Sequence, residues 1–434
     1  MDLTIVSILG FVVLLLLFAA GVNIGFAMAL VGLVGFAFVA SIETSLNVLA
    51  TQFWEIFSNY DFTVLPMFMF MGSIAFHSGI TRNLYSSAHA FLGHMPGGLA
   101  IATIAGSAAF GAICGSTTAA AASMGRVALP EMKKFNYNDS LATATVATGG
   151  TLSILIPPSS AFIIYGILTE QSIGRLFISG IIPGIMLSTL FIIVIFVICR
   201  RNPELAPPGD RVGWKERKAS LVGVTDTFVL FALVMGGLFW GFFSANEAGA
   251  VGSAGVLLIS LARRRLTWDG LIRSLVDTTR VTGMVFVILA GGMVFGRFIA
   301  VTRVTFELVN WVGSLPYDPY FIVGGLILFY LIGGCFMDTL ALMVLTIPLL
   351  FPIVLRLGYD PLWFGVITTL MGEAGAITPP VGINVYVLHG TNPDIPLETI
   401  FRGVWPFVMT IVFCSIILTV FPKIITFLPN AMMK

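Results

Sequence analysis

The sequence predicts an all-α polytopic membrane protein with inverted repeats, two re-entrant hairpins and two broken helices. Three observations carry that prediction. The chain is 57% apolar and only 10% charged, against about 25% charged in a soluble domain, and its mean hydropathy is +1.00. Apolar runs of roughly 18 or more residues recur along its whole length, each long enough to cross a bilayer as a helix. The stretch 111–184 returns at 333–407: at a fixed offset of 222, Gly111 falls on Gly333, Thr117 on Thr339, Pro130 on Pro352, Tyr137 on Tyr359 and Pro157-Pro158 on Pro379-Pro380. One inserted residue later, Gly180 and Pro183 fall on Gly403 and Pro406.

The elements follow in order. Spans are expected at 4–21 and 24–41. The start, Asp2 and then an apolar run, lacks the basic opening and small-residue cleavage site of a signal peptide, so it is expected to be the first spanning helix. With an amphipathic piece at 44–58, residues 1–61 make the scaffold of the first half. The first repeat, 62–199, holds a span at 62–79, an amphipathic piece at 80–96, a hairpin at 98–133, a broken helix at 140–168 and a span at 176–199. Each hairpin has a Gly-rich polar middle and limbs too short to cross alone, which suits re-entry rather than crossing. A cytoplasmic loop is expected at 200–225. Spans at 226–243 and 247–262 and an interfacial arm at 263–280 form the second scaffold region, 226–280. The second repeat, 281–434, holds a span at 281–300, an amphipathic piece at 303–314, a hairpin at 319–356, a broken helix at 361–388 and a span at 400–422. The amphipathic pieces suit helices lying in the headgroup region.

Charge sets the orientation. Arg200, Arg201, Arg211, Lys215, Arg217 and Lys218 make six of the chain's 22 Lys and Arg, and Arg263, Arg264 and Arg265 follow two spans later. By the positive-inside rule both clusters are cytoplasmic. Counting crossings puts the Lys133-Lys134 turn inside, the turn at Arg356 outside and both chain ends in the periplasm, so the two copies enter the membrane from opposite faces. A net charge of +1 leaves no basic face for nucleic acid. Cys114, Cys199, Cys335 and Cys414 sit in or beside apolar segments without metal-ligand spacing and read as packing residues. His77, His89, His94 and His389 show no ligand spacing either.

The chemistry is expected at the interruptions. One copy offers a tip at Cys114-Gly115-Ser116-Thr117-Thr118 and a break from Gly149-Gly150-Thr151 to Pro157-Pro158-Ser159-Ser160. The other offers Gly333 through Asp338-Thr339 and a break from Gly372-Glu373-Ala374-Gly375 to Thr378-Pro379-Pro380. Proline ends a helix and glycine permits unwound backbone, which is tolerated at membrane depth only where protein buries it or it lines a wet cavity. Unwound carbonyls with Ser and Thr hydroxyls suit a small cation, and restarting helix N-termini suit an anionic substrate group. Asp338, an acid within an apolar stretch, is a functional candidate because a charge there costs about 3 kcal/mol or more; the alternative is a cap on the second limb. Its counterpart is Ser116, and that of Glu373 is Thr151. Arg82 and Arg303 stand at span ends, where an arginine either clamps a substrate or reaches for headgroups. Arg126 falls opposite Pro348 and has no support from the repeat. Tyr137 and Tyr359 read as interface anchors.

The stretch from GSTT through ALPEM, the GG…ILIPPS break, the FxxGxxPG ending and AITPPVGINVY resemble the large membrane subunit of TRAP transporters, the DctM-like family, over nearly the whole chain. The resemblance implies an elevator, in which a transport domain of hairpins and broken helices slides against a scaffold. It implies sodium ions as the co-transported coupling ion, with no organic cofactor and no enzymatic activity. The implied partners are a small four-helix membrane subunit, expected as a separate chain, and a periplasmic substrate-binding protein. Location in the bacterial inner membrane and uptake of a small organic acid, such as a C4-dicarboxylate or a sialic acid, are implied as well. By motif, sodium would be held around the first tip by Gly115, Ser116 and Thr117 with Gly150 and Thr151. Around the second tip Asp338 and Thr339 would hold it with Gly375 and Thr378. Substrate would meet Thr118, Ser159 and Ser160 in one copy and Glu373, Gly382 and Asn384 in the other. Two competing readings are a self-sufficient anion symporter of the same architecture and an intramembrane enzyme; no nucleophile–base pair supports the second.

Overall fold

The computed structural model describes residues 3–209 and 211–432; Asp2 lies outside them. Helices α1 (Leu3–Ala19) and α2 (Ile24–Val39) open the chain, and Asn23 starts α2 by accepting the Gly25 amide. α3 (Ile42–Ser58) is capped by Ser41, and a 3-10 turn at Tyr60–Thr63 separates it from α4 (Val64–His77). The chain then bends by 66° into α5 (Ile80–Leu92). The first hairpin is α6 (Gly98–Cys114) with α7 (Thr117–Lys134), and the first broken helix is α8 (Asp139–Leu155) with α9 (Ser160–Thr169). α10 (Ile173–Arg201) closes the repeat, and α11 (Trp214–Phe239) and α12 (Ala245–Ala262) lead into the second half. There α13 (Trp268–Val301) and α14 (Val304–Ser314) precede the second hairpin, α15 (Pro319–Phe336) with α16 (Thr339–Arg356). The second broken helix is α17 (Pro361–Gly375) with α18 (Ile383–Thr391), followed by α19 (Leu397–Val420) and α20 (Lys423–Met432).

The duplication read in the sequence is a duplication of packing. α6 packs on α8 as α15 packs on α17, α7 on α8 as α16 on α17, and α12 on α4 as α2 on α13. Two pairings cross between the halves: α9 lies on α16 as α18 lies on α7, and α10 on α17 as α19 on α8. The repeats therefore interlock around the place where α8 meets α17, rather than sitting side by side. The equivalence reaches past the stretch that repeats visibly, because α2 begins at Ile24 and α12 at Ala245, close to the same offset.

Several expected boundaries move. The arm at 263–280 and the span at 281–300 are one helix of 34 residues, α13. Its first-half counterpart is split into α3 and α4, because the Asn59 side chain accepts the Asp61 amide at 2.8 Å and offers the backbone a turn in place of a helix; no such residue interrupts α13. The loop expected at 200–225 is shorter, since α10 runs to Arg201 and α11 begins at Trp214; residues 214–221 are mostly good helix formers. The terminal helix α20 was not expected; it buries Ile425 and Pro429 and packs against α10 and α17. The hairpin limbs have 17, 18, 18 and 18 residues, about 27 Å each at 1.5 Å per residue, just short of the ~30 Å hydrocarbon core. Among the described residues eight helices are long and apolar enough to cross a membrane; α15 and α16 are among them, so the expectation that hairpin limbs are too short to cross alone fails for the second hairpin.

The halves are not equally covered. α6 lies beneath α4, α5 and α10 and is buried along almost its full length. Its counterpart α15 exposes Phe321, Leu328, Phe329 and Ile332.

Candidate functional site

The first tip is a tight turn held by the first break. Gly115 has φ +59, and a Cβ there would lie 2.9 Å from the Pro158 carbonyl oxygen. Ser160, at the start of α9, donates to the Gly115 carbonyl at 2.8 Å. Ser159 caps α9 by accepting the Phe162 amide at 3.3 Å and donates to the Ile154 carbonyl. The Ser159 hydroxyl thus serves the backbone of its own break, and the Ser160 hydroxyl ties that break to the tip. Ser116 caps nothing with its side chain, and its hydroxyl lies 3.5 Å from that of Thr118.

At the second tip the backbones meet directly. A Cβ on Gly375 would lie 2.6 Å from the Cys335 nitrogen, and one on Gly334 would lie 2.5 Å from the Gly372 oxygen. Asp338 caps α16, its Oδ2 accepting the Leu340 amide at 3.0 Å. The Val381 amide donates to the Cys335 carbonyl at 3.3 Å, tying break to tip.

Unwound backbone is more limited than expected. Gly149, Gly150 and Thr151 lie inside α8, and Gly372 through Gly375 close α17, so the interruptions are 156–159 and 376–382. Both contain a cis Pro-Pro bond. The glycines serve close approach instead: a Cβ on Gly150 would lie 3.0 Å from the Thr117 oxygen, and one on Gly372 would lie 2.8 Å from the Thr339 side chain. Thr151 and Thr378 donate to the carbonyls of Thr148 and Ala374 at 2.7 and 2.6 Å.

The two tips converge on one acid. Glu373, 3% exposed, accepts from the Thr339 hydroxyl at 2.8 Å. The Thr117 hydroxyl and the Asp338 carboxylate are its other polar neighbours. Its second oxygen makes no hydrogen bond among the described residues, and neither does the Thr117 hydroxyl. Thr117 and Thr339 are counterparts in the repeat, so each copy presents the same hydroxyl to a carboxylate that only one copy carries. Asn384, at the start of α18, is fully buried with neither its amide oxygen nor its nitrogen hydrogen-bonded. Gly382, beside it, has φ +59 and packs against Phe401. Buried groups of this kind are costly without a partner. Among the described residues no three His, Cys, Asp or Glu side chains are placed to share a metal ion.

A cavity of about 330 Å³ opens at the first tip. Cys114, Ser116 and Thr118 form its tip wall, Ala119, Ala122 and Arg126 continue it along α7, Gly72, Ser73 and Phe76 come from α4, and Asp277 and Arg280 from α13. The Arg126 guanidinium stands 5.4 Å from the centre of the Phe76 ring. Asp277 is 2.9 Å from Nε2 of His77. Of the residues expected to meet substrate, the cavity takes in Thr118 alone; Ser116, expected on a cation, also lines it, while the second tip and both breaks lie elsewhere. Arg82 and Arg303 are exposed and outside it. Arg126, which has no counterpart in the repeat, lines the cavity but is exposed as well. The signal that finds it is simpler: an arginine midway along an apolar limb. Tyr137 accepts the Leu99 amide at 3.1 Å, and Tyr359 packs on Trp363 at 4.5 Å, so both tyrosines serve packing.

Comparison with known proteins places this arrangement. Residues 11–424 match the family model described as the tripartite ATP-independent periplasmic transporter, DctM component. The chain is 32% identical over 387 residues to the C4-dicarboxylate TRAP transporter large permease protein DctM of Pseudomonas aeruginosa, covering 89% of this chain and 90% of that one. It is 30% identical to the sialic acid TRAP transporter large permease protein SiaM of Vibrio cholerae, covering 95% of each. It is also 30% identical to the ectoine/5-hydroxyectoine large permease UehC of Ruegeria pomeroyi, covering 84% and 85%. Among solved structures, the YdaH transporter of Alcanivorax borkumensis aligns with a TM-score of 0.61 at 13% identity, covering 88% of this chain and 89% of that one.

Proposed function

The chain belongs to the DctM component family of tripartite ATP-independent periplasmic transporters, and from that premise we propose that it is the large permease of a sodium-coupled, binding-protein-dependent importer of a small organic acid. It is a multi-pass inner-membrane transport protein and not an enzyme. The observation that carries the proposal is the convergence of two hairpin tips and two broken helices on Glu373, beside a cavity lined by Arg126 and Arg280, both exposed and without an ion pair among the described residues. Hydroxyls and backbone carbonyls at the tips, with Asp338 at the second, supply oxygens suited to sodium. The named substrates of the relatives above all carry a carboxylate, which an arginine recognises well.

An elevator cycle is supported by the unequal shapes of the two repeats. Inverted copies of one sequence that adopt different conformations point to two states related by exchanging those conformations. Here α6 is covered where α15 is bare. The partners in this reading are a small membrane subunit and a periplasmic binding protein. The deciding experiment reconstitutes the chain with and without those partners and follows uptake of C4-dicarboxylates and sialic acids across an imposed sodium gradient. Uptake that needs both partners and stops without the gradient is expected. Uptake by the chain alone would establish a self-sufficient symporter, and gradient-independent uptake would remove sodium.

A further inference from the structure

We propose that α13 carries a second seat for the tip of the second hairpin, at Gly296, and that docking there joins Arg297 to Asp338 in an ion pair that the present conformation lacks. This rests on the elevator reading above and specifies the other end of that cycle. The first tip shows what a seat looks like. Gly72 on α4 lies against the end of α6, where a Cβ would fall 2.7 Å from the Cys114 oxygen. Met69, Gly72, Ser73 and Phe76 line the cavity beside that tip, and their i, i+3, i+4, i+7 spacing makes one face of a helix. α13 repeats that face. The turns ending α4 and α13 match: Ser78 and Thr302 each donate to the carbonyl three residues back, and Gly79 and Arg303 follow with φ +76 and +59. In that register Met69 falls on Met293, Gly72 on Gly296, Ser73 on Arg297 and Phe76 on Ala300. Nothing lies within 4 Å of a Cβ at Gly296, and Arg297 and Ala300 are exposed. The equivalent seat is therefore bare.

α13 meets its own hairpin elsewhere. α4 packs on α6, the first limb of one hairpin, whereas α13 packs on α16, the second limb of the other, and a Cβ on Gly292 would overlap the Val344 side chain. Exchanging the two arrangements sets Phe336, the counterpart of Cys114, on Gly296. In the orientation given by the basic clusters, α13 and α16 both run toward the periplasm. Asp338 precedes Val344 along α16, and Gly296 follows Gly292 along α13, so the exchange moves the hairpin by about ten residues of helical rise, or ~15 Å, toward the end of α13. Ser73 and Ser116 line one cavity at the first tip. Their counterparts, Arg297 and Asp338, carry opposite charges and would meet across the equivalent space, where a guanidinium and a carboxylate attract. Arg297 has no ion pair among the described residues as the structure stands.

The test traps the seat. In the full chain with its four cysteines replaced by alanine, Gly296→Cys and Phe336→Cys are introduced together and oxidised in proteoliposomes. A disulfide needs Cα atoms within about 7 Å, which only the docked tip provides. A Gly292→Cys, Val344→Cys pair reports the present arrangement. Both pairs are expected to close, and closure at 296–336 to stop uptake of succinate or N-acetylneuraminate, whichever the complex carries, until it is reduced. In sodium-free buffer Arg297→Gln and Asp338→Asn should each slow closure at 296–336 about 3- to 10-fold, with no further loss when combined, and neither should slow closure at 292–344. Spin labels at exposed Val301 and Leu355 give a reading that leaves the seat untouched: a second distance population, longer by roughly 10 Å, is expected. A single population, or a 296–336 pair that never closes in a variant that transports when reduced, would overturn the seat. Closure indifferent to both charge changes would overturn the ion pair. If the 296–336 disulfide forms and uptake continues, the seat stands and the elevator reading falls.

Discussion

Replacing Asp338 by asparagine separates two roles that this residue holds together. Its Oδ2 caps α16 by accepting the Leu340 amide at 3.0 Å, and its charge stands at the second tip within reach of the Glu373 site. Asparagine caps a helix about as well as aspartate, whereas alanine costs about 1 kcal/mol. Asp338→Asn should therefore leave thermal stability within about 0.5 kcal/mol of wild type, and Asp338→Ala should lower it by about 1 kcal/mol. The charge is a separate matter. A unit charge about 4 Å from sodium is worth about 4 kcal/mol at an effective dielectric of 20. Asparagine's carbonyl dipole and a bound water would recover about half of that, leaving a loss of about 2 kcal/mol, or ~30-fold in affinity. The assay is uptake by the reconstituted complex at stepped sodium concentrations, with thermal unfolding of the same purified proteins alongside. The expected result is an unchanged melting temperature and a half-saturating sodium concentration raised more than 10-fold in Asp338→Asn. If that variant keeps wild-type sodium dependence while Asp338→Ala is merely less stable, Asp338 is a cap and nothing more.

Two further predictions concern packing and orientation. Gly375→Ala would set a Cβ 2.6 Å from the Cys335 nitrogen, an overlap with backbone that no rotamer relieves, and it should lower stability by about 1–3 kcal/mol. Gly324→Ala in α15, with nothing within 4 Å, should raise it by up to about 1 kcal/mol; equal melting temperatures for the two variants would refute the close crossing. Single cysteines at Lys134 and Arg356, at the bases of the two hairpins, should react with impermeant maleimide from opposite faces of oriented vesicles. Labelling of both from one side would mean that the copies are parallel and not inverted.

The sequence was most informative where a local rule and the repeat agreed. Asp139 and Pro361 begin α8 and α17 directly after Asn138 and Asp360, whose side chains cap both helices, and Thr117 and Thr339 begin α7 and α16 at the same offset, although only the second is capped by a side chain. The glycines were assigned the wrong consequence. Gly150 and Gly372 looked like points of unwinding, since glycine is a poor helix former, yet both are helical. Their small size lets the starting turn of a hairpin limb rest on the broken helix, and that contact partner, distant in sequence, was invisible to a local reading. α13 ran on for the complementary reason: the break between α3 and α4 depends on one Asn59 side chain, whose absence from the second copy has no strong signature.

The charged residues show why symmetry finds the shared framework of such a protein better than what differs between its halves. A duplicated framework reports what both halves must do, which is to bring a tip against a break, and residues kept in both copies are the ones it highlights. A substrate occupies one cavity and meets each half differently, so the residues that read it need not recur. Arg126 has Pro348 as its counterpart, Glu373 has Thr151 and Asp338 has Ser116. Each of these charged members sits in only one repeat, and each faces a partner brought up by folding: Phe76 from α4, Thr339 from α16, the Leu340 amide from the adjoining turn. The repeat supplies a nearly symmetric container of hydroxyls and backbone. The charged members break that symmetry, with Asp338 and Glu373 at the second tip and an exposed Arg126 beside the first. Sodium and a carboxylate held in the same interlocked unit would then offset each other's charge, which lowers the cost of carrying either across the apolar layer.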